Sequence, residues 1–221
     1  DTYCERVYAP WPDMEKLMRE NNIPLYALET KDPINEFNFL AFTLQYEMSY
    51  TNILNMLNMG GIPLRASERT EKDPLVIAGG PCAYNPEPLY DIVDIFQLGE
   101  GEEGLNDLLD LYQKHKDNFN KEAYLREASH IPSVYIPSLY DVTYNEDGTI
   151  KEFIPKYDDV PKKVKKRIIN NFDQVDFPES LIVPYSEIVH DRVVLELFRG
   201  CTNGCRFCQA GMIYRPVREK R

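Results

Sequence analysis

Apolar positions recur along this chain at two intervals, every second residue and every third or fourth, and the interval changes repeatedly. Tyr3, Glu5 and Val7 alternate with Cys4, Arg6 and Tyr8, which predicts a strand over residues 3–10. Residues 12–20 then read as a helix. Pro12 suits its first turn, Asp13 and Glu15 suit its positive end, and Met14, Leu17 and Met18 form the apolar stripe. A short strand is predicted over 23–28. Another covers 37–44, where Phe39, Leu40, Ala41, Phe42 and Leu44 make a run apolar enough for burial on both faces. Ser49 opens a helix carrying Ile53, Leu54, Met56 and Leu57, and Gly60-Gly61 stops it.

The alternation continues. An apolar strand over 75–78 ends in Gly79-Gly80-Pro81, and residues 84–90 form a proline-broken loop or short helix. A strand over 92–98 ends in Gly99-Glu100-Gly101-Glu102-Glu103. Leu105, Leu108, Leu109 and Tyr112 then mark a helix running to about Lys116, and another helix covers 120–129. Strands and helices alternating at this spacing predict an α/β domain over 1–131 with a doubly wound, mostly parallel sheet.

After Pro132 the pattern turns to period two. Residues 140–144 and 150–154 flank Asn145-Glu146-Asp147-Gly148 and predict a hairpin. Residues 162–172 suggest one more strand. Its basic run (Lys162, Lys163, Lys165, Lys166, Arg167) fits either phosphate contact or a solvated edge that discourages strand pairing. The region 132–190 therefore reads as a β-rich linker. A third segment, 191–221, opens with a strand-like apolar run from Arg192 to Phe198.

In open parallel sheets, ligands lie beyond the carboxyl ends of the strands, where both glycine turns fall. The Gly79-Gly80-Pro81 turn has no acidic neighbour before Glu87, so its backbone N–H groups could meet a phosphate or amide. The turn from Gly99 to Glu103 carries three glutamates. It is expected to meet a neutral or cationic group, or simply to cap its helix. Neither turn is the dinucleotide fingerprint G-x-G-x-x-G, and both also fit as tight strand-to-helix connections.

The strongest chemical signal is Cys201-Thr202-Asn203-Gly204-Cys205-Arg206-Phe207-Cys208, with the spacing C-x3-C-x2-C. Three thiolates on one short loop suit an iron–sulfur cluster with one iron left open. Gly204 allows a tight bend, and Arg199, Arg206 and Arg215 put positive charge nearby or are ordinary surface. Structural zinc would need a fourth ligand, for which His190 is the nearby histidine. A ferredoxin-type cluster would use other spacings and a fourth cysteine. A redox pair of Cys205 and Cys208 would leave Cys201 without a role. Cys4 and Cys82 read as small buried apolar residues, Trp11 as core or interface packing, and His115 as a surface group at a lysine-rich helix end.

Composition narrows this further. The chain has 221 residues, 43% of them hydrophobic, and a formal charge of −11. At roughly 100–200 residues per domain this is one full domain and part of another. The acidic balance argues against a generic nucleic-acid-binding surface, while leaving RNA in a local basic cleft open. No apolar run approaches the roughly 18 residues of a membrane helix, and no signal peptide is present. Five cysteines, three of them clustered, point to a reducing compartment, hence the cytoplasm. The chain begins at Asp1 in strand-like sequence and stops soon after the cysteine loop, so a fragment of a longer enzyme, truncated at its N-terminal side, is expected.

The loop Cys201-x3-Cys205-x-Phe207-Cys208 resembles the cluster loop of the radical S-adenosylmethionine (radical SAM) superfamily, including the aromatic residue before the third cysteine. The resemblance implies a 4Fe-4S cluster held by Cys201, Cys205 and Cys208, with Phe207 among the cofactor-facing residues. It implies S-adenosylmethionine on the open iron, reductive cleavage to a 5′-deoxyadenosyl radical, and hydrogen abstraction leading to methyl transfer, sulfur insertion or rearrangement. It further implies a reductant protein such as flavodoxin or ferredoxin, an RNA, protein or small-molecule substrate, and a barrel of which 191–221 would supply the first strand. The segment 75–103 is similar to the cobalamin-binding-type (flavodoxin-like) domain that precedes many such barrels. That likeness would place Thr43, Leu44, Gln45, Gly79, Gly80 and Gly99 towards a corrin. The D-x-H-x-x-G motif that supplies a histidine to cobalt is absent, and His115, His130 and His190 do not fit it. The competing reading is a ligand-binding or regulatory α/β module whose cysteine loop is a structural metal site. This fragment by itself is expected to be inactive.

Overall fold

The computed structural model describes residues 2–175, 185–189 and 192–221. Contacts divide it into two compact units, Asp1–Arg167 and Ile168–Arg221. The hairpin after Pro132 thus belongs to the first unit, and the division falls after Arg167 rather than near residues 131 and 190.

The first unit is built on a four-stranded sheet of β1 (Phe39–Thr43), β2 (Leu75–Gly79), β3 (Ile95–Gln97) and β4 (Val134–Tyr135), in that spatial order. β1, β2 and β3 are parallel, and β4 closes the far edge antiparallel. β2 and β3 are buried along almost their whole length, as the apolar sequence of β2 requires, and in β3 the polar Gln97 is buried too, its amide donating to the Ser133 hydroxyl at 2.7 Å. β1 departs from that expectation. It is an edge strand, and Ala41 and Thr43 are exposed while Leu40 and Leu44 are buried. The strand order runs in one direction, so the reversal of a doubly wound sheet is not found among the described residues.

Helices α1 (Pro12–Glu20), α2 (Tyr50–Met59), α3 (Gly101–His115) and α4 (Lys121–Ala128) follow their sequence signals closely. α1 has Pro12 in its first turn with Asp13 and Glu15, and it buries Met18. It is tied to α2 by Arg19, which donates to Asn55 at 2.8 Å and Asn58 at 3.0 Å. α2 passes into Gly60 and then Gly61, whose φ is +69°. α4 starts on Asn120, whose side chain accepts from the Ala123 N–H at 2.8 Å. Lys114 and His115 close α3, where positive charge complements the helix dipole. Between β2 and β3 the proline-rich segment forms short 3-10 turns, Pro81–Tyr84 and Glu87–Leu89.

A buried ion cluster fixes the approach to β3. Asp94 and Arg69 are both about fully buried, with 2.9 Å between Arg69 Nη2 and Asp94 Oδ2. The same oxygen accepts from the Val76 N–H at 2.9 Å. Lys121 Nζ stands 3.0 Å from Oδ1, which accepts no well-aligned hydrogen bond, so this arm is ionic rather than directional. Arg69 also donates to the carbonyls of Pro63, Leu64 and Ile92, satisfying a guanidinium that water cannot reach.

The hairpin of β5 (Tyr140–Tyr144) and β6 (Ile150–Pro155) forms where its turn signal stands, with Gly148 N–H donating to the Asn145 carbonyl at 3.0 Å. Tyr140 stacks on Phe153 at 4.8 Å and meets Tyr135 at 5.3 Å, which joins hairpin to sheet.

Several predicted strands are not strands. Residues 3–10 are extended chain without a ladder, fastened instead by Arg6 to Glu29 at 2.7 Å and by Thr30 to Glu5 at 2.9 Å. Residues 23–28 make only an isolated bridge from Tyr26 to Pro33. Residues 162–172 form no strand either, apart from a single bridge at Arg167. Cys4 is exposed and not the small buried residue expected, and Trp11, at 80% exposed, is not in the core, the first of the two places expected for it. Cys82 is half-buried.

The second unit pairs β7 (Phe198–Arg199) with β8 (Arg218–Glu219) antiparallel and carries one helical turn, α5 (Ala210–Ile213). The apolar run ahead of β7 is exposed, with Val193 and Val194 each at 73%, and not the buried strand expected. Phe172 lies beneath three cations: Arg199 at 5.0 Å, Lys220 at 5.4 Å and Arg218 at 5.6 Å from its ring centre.

Candidate functional site

Two places collect the residues singled out above, one in each unit. The first is the carboxyl edge of the parallel strands. Thr43 and Gly79 are register partners at the ends of β1 and β2. Thr43 and Gln45 are exposed there, but Leu44 is buried. The Leu44 N–H donates to the Gly79 carbonyl at 2.7 Å, and the Leu44 carbonyl accepts from the Cys82 N–H at 3.0 Å. Gly80, at φ +94°, lies so close to this segment that a Cβ would stand 3.0 Å from the Leu44 oxygen. The glycine is therefore needed to seat the chain's own backbone.

Gly99 shows the same use more sharply. Its φ is +90°, and a Cβ there would fall 2.3 Å from the Arg167 carbonyl oxygen and 2.8 Å from its nitrogen. Arg167 donates its N–H to the Leu98 carbonyl at 2.9 Å and accepts from the Glu100 N–H at 3.1 Å. Its guanidinium, only 13% exposed, pairs with Asp107 at 2.7 Å and Glu103 at 3.4 Å. Of the neutral group, cationic group or plain helix cap that the glutamate-rich turn allowed, a cation is present, and the chain itself supplies it. Sequence reasoning placed Arg167 in a basic run that fitted either phosphate contact or a solvated edge. Its partners lie some sixty residues earlier, and no local pattern connects them.

Beside Gly80, the Cys82 thiol is pushed up from the ordinary thiol range by burial and then by the charge of Glu47, while a hydrogen bond with Tyr50 acts the other way. The Tyr50 hydroxyl is raised by burial and then by Cys82. A raised thiol is a poor nucleophile and metal ligand at neutral pH, which supports a packing role for Cys82. Taken together, the turns at Gly80 and Gly99 do not fit a corrin. The backbone groups and the space that would receive one are already occupied by Leu44 and Arg167.

The second place is the loop between β7 and α5. Gly200, at φ +97°, lets the end of β7 pass against the carbonyls of Tyr214 and Pro216. Cys201 and Cys208 are half-buried, Cys205 is exposed, and all three are free thiols. Gly204 has φ +66°, and the Cys208 N–H donates to the Cys205 carbonyl at 3.1 Å, so the loop tightens before α5 begins. Phe207 is 93% exposed. Of the nearby arginines, Arg199 is held by Glu196 at 2.7 Å and Arg206 is exposed. Among the described residues no three Cys, His, Asp or Glu side chains are drawn together as a metal-binding group. What fits an iron–sulfur cluster here is the donor chemistry, three soft ligands within eight residues on a loop with a left-handed glycine. His190, the fourth ligand of the zinc alternative, lies outside the described residues.

Comparison with known proteins points the same way for the first unit. A family model described as radical SAM proteins, N-terminal, matches residues 1–137. The cysteine loop lies beyond that match and is a separate observation. The chain is also 28% identical, over 206 residues, to an uncharacterised protein of Methanocaldococcus jannaschii. That similarity covers 92% of this chain and 37% of the archaeal protein, so the chain spans well under half the length of the relative it matches.

Proposed function

Because this chain belongs to the family of radical SAM protein N-terminal regions, we propose that the whole protein is a radical SAM enzyme whose 4Fe-4S cluster is held by Cys201, Cys205 and Cys208. The observation that carries the reading is the C-x3-C-x-F-C loop, found outside the matched region of a chain already placed in that family. When bound, the cluster supplies the electron that cleaves S-adenosylmethionine to a 5′-deoxyadenosyl radical for hydrogen abstraction.

The chain's own contribution is to gather and shield. Cys201, Cys205 and Cys208 would hold the cluster through their sulfurs, and the loop offers no fourth cysteine, so a fourth iron would be left for another ligand. Gathering three sulfurs on one cube requires the loop to tighten around Gly204 from the arrangement described. The exposure of Cys205 leaves it room to do so. Arg206 adds positive charge beside the ligands. Phe207, exposed between Arg206 and Cys208, is an apolar face available to exclude water from the site. The five cysteines are all free, and no helix among the described residues is long and apolar enough to cross a membrane. A reducing, cytoplasmic setting with a small redox protein as electron donor is part of the proposal.

The full-length gene product, reconstituted anaerobically with iron and sulfide, should turn brown and hold roughly four irons per chain. Cys205→Ala should abolish the colour while leaving the far-UV signal of the first unit unchanged. A wild-type protein that stays colourless and binds zinc tetrahedrally would overturn the assignment.

A further inference from the structure

We infer that the carboxyl edge of the parallel sheet is an anchoring seat for the protein's own linker, held by Arg167, and that it takes no corrin. This goes beyond the cluster reading and does not depend on it.

The edge has three resources with which a ligand is usually met: open backbone N–H and C=O groups, glycines that allow close approach, and a helix N-terminus. The strand-end backbone groups and the glycines are already used, and the helix start is faced by a cation of the chain's own. The Leu98 carbonyl and the Glu100 N–H are both bonded to Arg167, and the Gly79 carbonyl is bonded to Leu44. Gly99 and Gly80 are closed by the backbones of Arg167 and Leu44 at distances too short for a methyl group. The first turns of α3 present Glu103 and Asp107, and the Arg167 guanidinium lies against both.

The segment leading to Arg167 is fastened as well. Val160 is buried in the core, the Pro161 carbonyl accepts from the Tyr140 hydroxyl at 2.7 Å, and Val164 packs on the core's margin. Arg167 is the last residue of the first unit, and the cysteine-bearing unit begins at Ile168. The edge that binds a cofactor in other open α/β sheets here holds the last residue of the first unit's own chain.

Two measurements on the full-length gene product test this. In equilibrium dialysis against hydroxocobalamin, the wild-type protein should retain none; saturable binding of one per chain would overturn the inference. Trypsin cleavage after Lys166 and Arg167, mapped by mass spectrometry, should be slow in the wild type. It should accelerate roughly tenfold in Gly99→Val, since cleavage tracks the population of the opened linker. Should Gly99→Val fail to fold, the paired Glu103→Gln and Asp107→Asn substitutions, which remove only the ion pairs, carry the same test. Unchanged cleavage in a folded variant of either kind would overturn the anchoring role. Neither readout depends on iron, so failure of the cluster assignment is seen separately.

Discussion

At the scale of the residue, the first unit depends most on Asp94. Its carboxylate is nearly inaccessible, receives Arg69 and the Val76 N–H on one oxygen, and faces Lys121 on the other. Removing one member of a buried ion pair leaves the others uncompensated, which costs about 3–5 kcal/mol. Asp94→Ala is therefore expected to lower unfolding free energy by about that amount in urea titration. A loss below about 1 kcal/mol, the scale of an exposed ion pair, would show that water reaches the cluster. Arg167 and Gly99 show how much of the candidate site could be read from sequence. That the Gly99–Glu103 turn would repel an anion was legible, because three glutamates crowd a helix N-terminus, and a neutral group, a cation or a plain helix cap all fitted it. Which of these the fold supplies was not legible. Arg167 sits in a lysine-rich run that resembles any solvated edge, and only the fold brings it to Gly99.

At the scale of the element, helices were legible and isolated strands were not, for one physical reason. A helix closes its hydrogen bonds within its own segment, so caps and stripe are local. α1, α2 and α4 accordingly begin and end within a residue or two of their signals, while α3 begins at Gly101, inside the glycine turn and ahead of Leu105, the first mark of its stripe. A strand needs a neighbour, and a period-two pattern does not say whether one exists. Residues 3–10 have the pattern but no ladder, whereas the hairpin, whose turn supplies each strand's partner, forms as expected. The start of α4 gives a local test. Asn120 satisfies one orphan N–H of its first turn, so Asn120→Ala should cost about 1 kcal/mol in chemical unfolding. Asn120→Asp, which keeps an acceptor and adds a favourable charge at the helix start, should restore the loss. An alanine variant as stable as the wild type would show that another group takes over the cap.

At the scale of the whole molecule, the apolar core is confined to the first unit. Every buried residue of the main cluster, from Met18 to Val160, precedes Arg167. The second unit has a smaller set of its own, with Phe172 and Ile213 buried and Phe172 roofed by Arg199, Arg218 and Lys220. Residues 1–167 expressed alone should then fold cooperatively, with the same urea midpoint as the main transition of the intact chain. A non-cooperative or aggregated product would mean that residues beyond Arg167 complete the core. The family match over 1–137 falls within this unit. The cysteine loop, where the chemistry is proposed, stands outside both the match and the core. Sequence made that loop the easiest feature to recognise, since thiol spacing is local, while the arrangement of its sulfurs is not.

The placement of Trp11 has an optical consequence. It is the only tryptophan, it stands in solvent at the start of α1, and no aromatic or cationic partner covers it among the described residues. Its fluorescence already has the colour of indole in water when the protein is native, so melting of the sheet passes almost unseen in that channel. The fifteen tyrosines carry the core's signal instead, several of them packed against other rings around Tyr124 and Tyr140. Trp11 is better used as a reporter of the surface. A blue shift in its emission marks something settling over the start of α1, against a background that folding and unfolding barely move.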